Sequence, residues 1–190
     1  MKYITSLGLL VVTVAAMMAF AGSASATAVT GPSGEEEPAF HFIVEGPHVE
    51  IHNSIVNIKC EVTIQGGITV SILPPRVRAH IKKVEFINCT DEWVVDVSSN
   101  GSMEISATGG SGHGVGTVSS TGMKITATRA GLSCVYETNN TPIGTLTGGN
   151  PATLNLSGSI PRVGGSFLCG GSTAALTGSL VSTSTLKIDP

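Results

Sequence analysis

At 190 residues, with 12% charged and 4% aromatic side chains and a net charge of −3, the chain has neither the basic footprint of a nucleic-acid-binding protein nor a strong draw to anionic membranes. Its 24 glycines, among abundant serines and threonines, favour short strands and tight turns over long helices. Nucleic acid is set aside as a partner, and a β-rich protein is the class that remains.

The N-terminus carries Lys2, an apolar run from Leu7 to Phe20 and the small residues Ala21 to Ala26, which is the layout of a secretory signal peptide cleaved after Ala26. The apolar run is shorter than the ~20 residues a bilayer span needs, so an anchor is the weaker reading. No integral membrane association is expected after cleavage, and the protein is expected to be secreted or extracellular, or held at the cell wall. Residues 27–38 contain Pro32, Gly34 and Glu35-Glu36-Glu37 and read as a disordered acidic leader. A single domain is expected over 39–190.

Cys60, Cys89, Cys134 and Cys169 remain after export, an even number in a chain sent to an oxidising compartment, and they read as two disulfides. All three possible connectivities stay open here. The sequential pairing would close one loop of about thirty residues in each half of the chain, each contributing roughly 3–4 kcal/mol by the chain-entropy model. A zinc site would use closely spaced cysteine pairs, which are absent.

Apolar residues recur with period two from Phe40 onward: Phe40 and Phe42, Val49 and Ile51, Val62 and Ile64. Gly66-Gly67 predicts a hairpin turn ahead of Ile68, Val70 and Ile72, and Pro74-Pro75 stops that strand. Val77, Ala79 and Ile81 have one parity and Val84 and Phe86 the other, which predicts a bulge at Lys82-Lys83. Asn100-Gly101 predicts the clearest hairpin, between Trp93-Val95-Val97 and Met103-Ile105-Ala107. The glycine-rich run Gly109 to Gly116 lacks the following helix and the lysine or acidic partner of a phosphate-cradling loop, and reads as a strand connection.

Met123-Ile125-Ala127, a turn at Arg129-Ala130-Gly131, Leu132-Cys134-Tyr136, Leu154-Leu156 and Phe167-Cys169 continue the alternation. Leu176, Leu180, Leu186 and Ile188 share one parity of a long last strand, read as a capping or edge strand. Roughly ten to twelve strands without an amphipathic helix predict an all-β fold, a β-sandwich of two antiparallel sheets with two disulfides behind the signal-peptide helix. An irregular barrel is the second architecture.

Cys60, the glycine turn, Val84-Glu85-Phe86-Ile87-Asn88-Cys89-Thr90, Trp93 and Gly131-Leu132-Ser133-Cys134-Val135-Tyr136 follow one another in an order that resembles a group of secreted actinobacterial proteins with four cysteines. The ending Cys169-Gly170-Gly171-Ser172-Thr173-Ala174-Ala175-Leu176-Thr177-Gly178-Ser179-Leu180 is similar to the same group's closing motif. The resemblance covers roughly residues 58–190 and departs in the charged 76–85 segment. It implies a β-rich fold and export, and nothing about catalysis.

Three constellations bear on chemistry. His48, Glu50 and His52 share one face of a strand and offer two imidazoles and a carboxylate to zinc or copper. Neighbours on that face stand about 7 Å apart, however, so the wet face of a half-buried strand is the stronger reading. Asp91, Glu92 and Asp96 around Trp93 could imitate the acid pair and stacking ring of a glycoside hydrolase, whereas a lone tryptophan in a β domain is more often core. His113 is the only loop residue suited to be a general base, and no Gly-x-Ser-x-Gly elbow is present. Asn88, Asn100, Asn139 and Asn155 head glycosylation sequons. The expected function is therefore non-catalytic and cofactor-free, a cell-envelope or extracellular β domain with a structural or weak binding role toward a wall component or another extracellular protein. A secreted hydrolase of envelope polysaccharide and a metal-binding protein are the alternatives.

Overall fold

A computed structural model describes residues 28–30, 39–69, 76–108 and 114–189. The expected signal peptide, most of the leader, Val70, Ile72, Pro74-Pro75 and His113 lie outside them. Eleven strands are formed among the described residues: β1 (Ala28–Thr30), β2 (Ala39–His52), β3 (Asn57–Thr69), β4 (Arg76–Ile87), β5 (Val94–Ala107), β6 (Val115–Arg129), β7 (Leu132–Glu137), β8 (Thr141–Thr147), β9 (Thr153–Gly165), β10 (Thr173–Ser182) and β11 (Lys187–Asp189). Two 3-10 turns, Thr90–Glu92 and Phe167–Cys169, complete the elements.

From β2 to β7 each strand pairs antiparallel with the next, β8 pairs with β9 and β9 with β10, and β10 pairs with β2 as well. β7 and β8 occupy one position in this ring: β7 pairs with the far half of β6 and β8 with the near half, and both pair with β9. The result is a closed, up-and-down antiparallel barrel of eight staves. The expected two-sheet sandwich is therefore not what the chain forms. Nor is the C-terminal run an edge: β10 is an interior stave that closes the ring, with Leu176 and Leu180 buried inside.

The correction comes from two dipeptides that resemble hairpin turns, Gly66-Gly67 and Asn100-Gly101. β3 runs unbroken through Gly66-Gly67, where a Cβ on Gly66 would stand 2.7 Å from the Phe42 ring, so the glycine makes room for an aromatic side chain. β5 likewise runs unbroken through Asn100-Gly101. Gly101 (φ +64°) faces Gly122 of β6 (φ +73°), and β6 changes parity there: Ile125 and Met123 point inward above Gly122, and Ser120 and Val118 below it, while β5 takes up the mismatch in its register shift between Val97 and Ser99. Paired left-handed glycines bend two long strands together, as barrel closure requires.

Other staves bend at the same level. Lys82 is the extra residue of β4, as the parity break predicts, since Gln65 pairs with Lys83 and Gly66 with Ile81. Asn100 repairs the gap: its Oδ1 accepts from Val84 N–H (3.2 Å) and its Nδ2 donates to the Lys82 carbonyl (2.7 Å). The break between β7 and β8 is satisfied by the buried Thr138, whose hydroxyl accepts from Met123 N–H at 3.0 Å. At Ala130-Gly131 the expected tight turn is found, both residues having positive φ.

The two ends of the barrel differ. One gathers the β2–β3, β4–β5, β6–β7 and β9–β10 connections, and both disulfides staple it. Cys60–Cys89 and Cys134–Cys169 are paired sequentially, with Cα separations of 4.1 and 5.6 Å. At the other end β1 and β11 form a separate two-stranded sheet, so part of the segment read as leader is structured and Val29 is buried.

Gly101 and Gly131 test the bend. A Cβ on Gly101 would lie 2.4 Å from Met123 N and Thr121 O, whereas one on Gly131 meets nothing within 4 Å. Gly131→Ala is expected to cost about 1 kcal/mol, the left-handed backbone penalty alone. Gly101→Ala should cost clearly more in urea unfolding, and equal costs would refute the proposed corner.

Candidate functional site

The stapled end is held by Asn53, the first residue after β2. Its Oδ1 accepts from Ile55 N–H (2.9 Å) and Val56 N–H (2.8 Å), the local turn that asparagine favours. Its Nδ2 donates to the Tyr136 hydroxyl (3.2 Å) and to the Cys169 carbonyl (2.8 Å). One side chain thus joins the β2–β3 turn, stave β7 and the β9–β10 connection. Tyr136 is wholly buried. Burial raises its hydroxyl above the ordinary pKa of 10.0, while the Arg162 charge and the Asn53 hydrogen bond pull the other way.

The Phe167–Cys169 turn is fastened on every side. Ser166 Oγ accepts from Leu168 N–H (3.2 Å), and Ser166 N–H donates to the Ser133 carbonyl (2.8 Å). Arg162 Nη1 donates to the Ser166 carbonyl (2.8 Å), and Cys169 is bonded to Cys134. This anchored loop nonetheless holds Phe167 85% exposed and Leu168 54% exposed, close to Ile55 at 59%. Packing between the two loops is tight: a Cβ on Gly170 would come within 3.3 Å of Ile55 Cγ1. Of the seven large hydrophobics exposed among the described residues, these three with Ile87, Val94 and Val163 lie at the stapled end, and only Val181 does not. A shallow groove of about 290 Å³ between Val94, Arg129 and Leu132 continues the apolar rim.

The residues singled out in the sequence are dispersed by this geometry. His48, Glu50 and His52 lie on the outer face of β2, beside Thr177 and Ala175 of β10 and Lys59 and Asn57 of β3. Among the described residues no group of three His, Cys, Asp or Glu side chains is placed to hold a metal. Glu50 instead binds Lys59 at 2.5 Å. That hydrogen bond is the main cause of its lowered pKa, with the Lys59, His52 and His48 charges adding to it and burial opposing.

Trp93 is buried in the barrel, with the Arg129 guanidinium 6.0 Å from its ring centroid. Asp91 and Glu92 sit outside in a left-handed turn (φ 55° and 60°), and Asp96 lies exposed on the outer wall of β5. Glu92 is thus in the turn before β5 and not on a strand with Asp96. The ring and the acids do not face one groove, as sugar stacking beside an acid pair requires. β6, not a helix, follows the glycine-rich run. Reading the sequence missed Asn53 and Phe167. Asn53-Ser54 between His52 and Ile55 is a turn signal that points to the former, but nothing local marks Phe167 as exposed, because it continues the apolar alternation.

Compared with protein-family models, curated proteins and solved structures, the chain matches none.

Asn53→Ala is expected to lower stability by about 2 kcal/mol, seen as a shifted urea midpoint at unchanged slope. A shift below roughly 0.5 kcal/mol would show that other contacts hold the rim. For Glu50, a lowered folded-state pKa means that the Lys59 contact stabilises above the ordinary value of 4.5 and is lost as pH falls through the lowered value. Lys59→Met should move the Glu50 carboxyl midpoint, followed by NMR, back up toward 4.5; no movement would rule out Lys59 as the cause.

Proposed function

We propose that the protein is an exported, non-catalytic barrel that works as a binding module outside the cell or at its envelope, with the stapled rim as its contact surface. The observation that carries this reading is Phe167, a large aromatic held almost fully in solvent by a loop that two polar side chains, backbone hydrogen bonds and a disulfide keep from folding back. Covering such a side chain yields roughly 1.5–3 kcal/mol, and a rigid loop loses little entropy when a partner does so. Aromatic anchors of this kind dominate binding energy at protein interfaces. The signal-peptide layout and the two disulfides support export to an oxidising compartment.

The partner class is a cell-envelope component or an extracellular protein with an apolar recess. Cosedimentation of the purified chain with washed cell envelopes, and with envelopes stripped of protein, separates the two. The double variant Phe167→Ser, Leu168→Ser leaves the core intact and is expected to weaken retention about tenfold or more. Equal retention of the variant and the native chain would overturn the assignment of the rim.

A further inference from the structure

The half of the barrel away from the disulfides contains a void of about 30 Å³ whose lining, which includes Phe42, Ile68, Ala79, Met103, Val118 and Leu186, is entirely apolar. A water molecule there would lack the two to four polar partners it needs, so the space stays dry. Ten of the eleven lining residues belong to barrel staves, and the remaining one, Leu186, does not.

Leu186 belongs to the segment that follows β10 and lies at the end of the barrel away from the disulfides. The segment leaves the barrel at Thr183, whose N–H donates to the Ile43 carbonyl (3.0 Å), and at Ser182, whose hydroxyl bonds the Ser184 carbonyl. It touches down again through paired backbone bonds between Leu186 and Gly149 (2.7 and 3.1 Å). β11 then pairs with β1 alone. Its backbone lies on glycines: a Cβ on Gly148 would stand 3.0 Å from Leu186 O and 3.2 Å from Ile188 N. Leu186, Ile188 and Val29 are nearly fully buried beneath this small sheet. Staves such as β2 with β3 and β5 with β6 share ladders of twelve pairs each, whereas among the described residues this cover has a three-residue ladder of its own and one bridge to Gly149.

We propose that this half of the barrel is a binding site for an unbranched alkyl chain, and that residues 183–189 form a lid whose Leu186 side chain occupies the place of the ligand when the site is empty. Eight staves give an interior that side chains just fill or that holds one small ligand. Withdrawing Leu186 joins its own volume to the existing void. With no polar atom in the lining, apolar contact selects the ligand, and a polar headgroup remains at the mouth. Lid and ligand compete, so the apparent affinity falls by the fraction of molecules with the lid open. This site is independent of the rim and can fail without affecting it.

The test is a titration of the purified full chain with cis-parinaric acid, a fluorescent straight-chain fatty acid. Saturable binding of one equivalent is expected. Leu186→Ala, which weakens the lid and enlarges the void, should bind about fivefold or more tightly, and Ala79→Phe, which fills the void, should not bind. Dodecanol and dodecanoate should displace the probe alike, which distinguishes a chain-selective site from a carboxylate-selective one at the surface. Absence of saturable binding in a chain that circular dichroism shows to be folded would overturn the proposal. So would equal affinities of native and Leu186→Ala protein, a comparison that decides the matter even if Ala79→Phe does not fold.

Discussion

Closure of β10 onto β2 is the constraint on which the rest of the structure depends. A sheet closed on itself has no free edge strand, and the interior width is set by the number of staves. Eight staves leave room for one layer of facing side chains, which Ile51, Ile58, Ile125, Tyr136 and Leu180 fill without solvent contact. Strands of 13 to 15 residues such as β3, β5 and β6 must bend to stay in such a ring. The belt of bulges and left-handed glycines around its middle is where they do so.

The two mouths solve the problem of ending a barrel in different ways. At one, covalent staples and the four hydrogen bonds of Asn53 make the connections rigid. Rigidity there lets apolar side chains stay in solvent, since a loop free to move would fold Phe167 back onto the barrel. At the other, a short two-stranded sheet is held, among the described residues, by apolar burial, the Gly149–Leu186 bridge and the Thr183 N–H bond to the Ile43 carbonyl. Among the described residues the covalent and side-chain anchors are concentrated at the stapled end.

The outer wall is divided as well. Between residues 138 and 186 Arg162 is the only charged side chain, so the wall made by β8, β9 and β10 is a field of threonine and serine hydroxyls. The ion pairs Glu50–Lys59, Lys83–Glu85 and Lys124–Glu137 all lie on the other side of the ring or at its border. Exposed pairs of this kind contribute little to stability. They keep the wall that carries them hydrated, and the uncharged wall is the less costly one to cover.

Local patterns were enough to place most of the strands, the β4 bulge, the Ala130-Gly131 turn and the use of all four cysteines, because each rests on neighbours a few residues apart; they did not mark β8, they read the Phe167–Cys169 turn as strand, and they read β10 and β11 as one. Period-two alternation states that a residue faces inward, but the inside of a sandwich and the inside of a barrel give the same alternation. Choosing between them depended on whether Gly66-Gly67 and Asn100-Gly101 end a strand or bend it, and a left-handed glycine serves either purpose. What decides is the partner across the ladder: Gly122 faces Gly101, and Phe42 needs the space at Gly66. Only the tertiary structure supplies those partners. For the same reason it alone separates Cys169, Leu168 and Phe167, three successive apolar residues of which the first is buried in a disulfide and the last two stand in solvent. The chain's own alternation carries no information about which end of the barrel they reach.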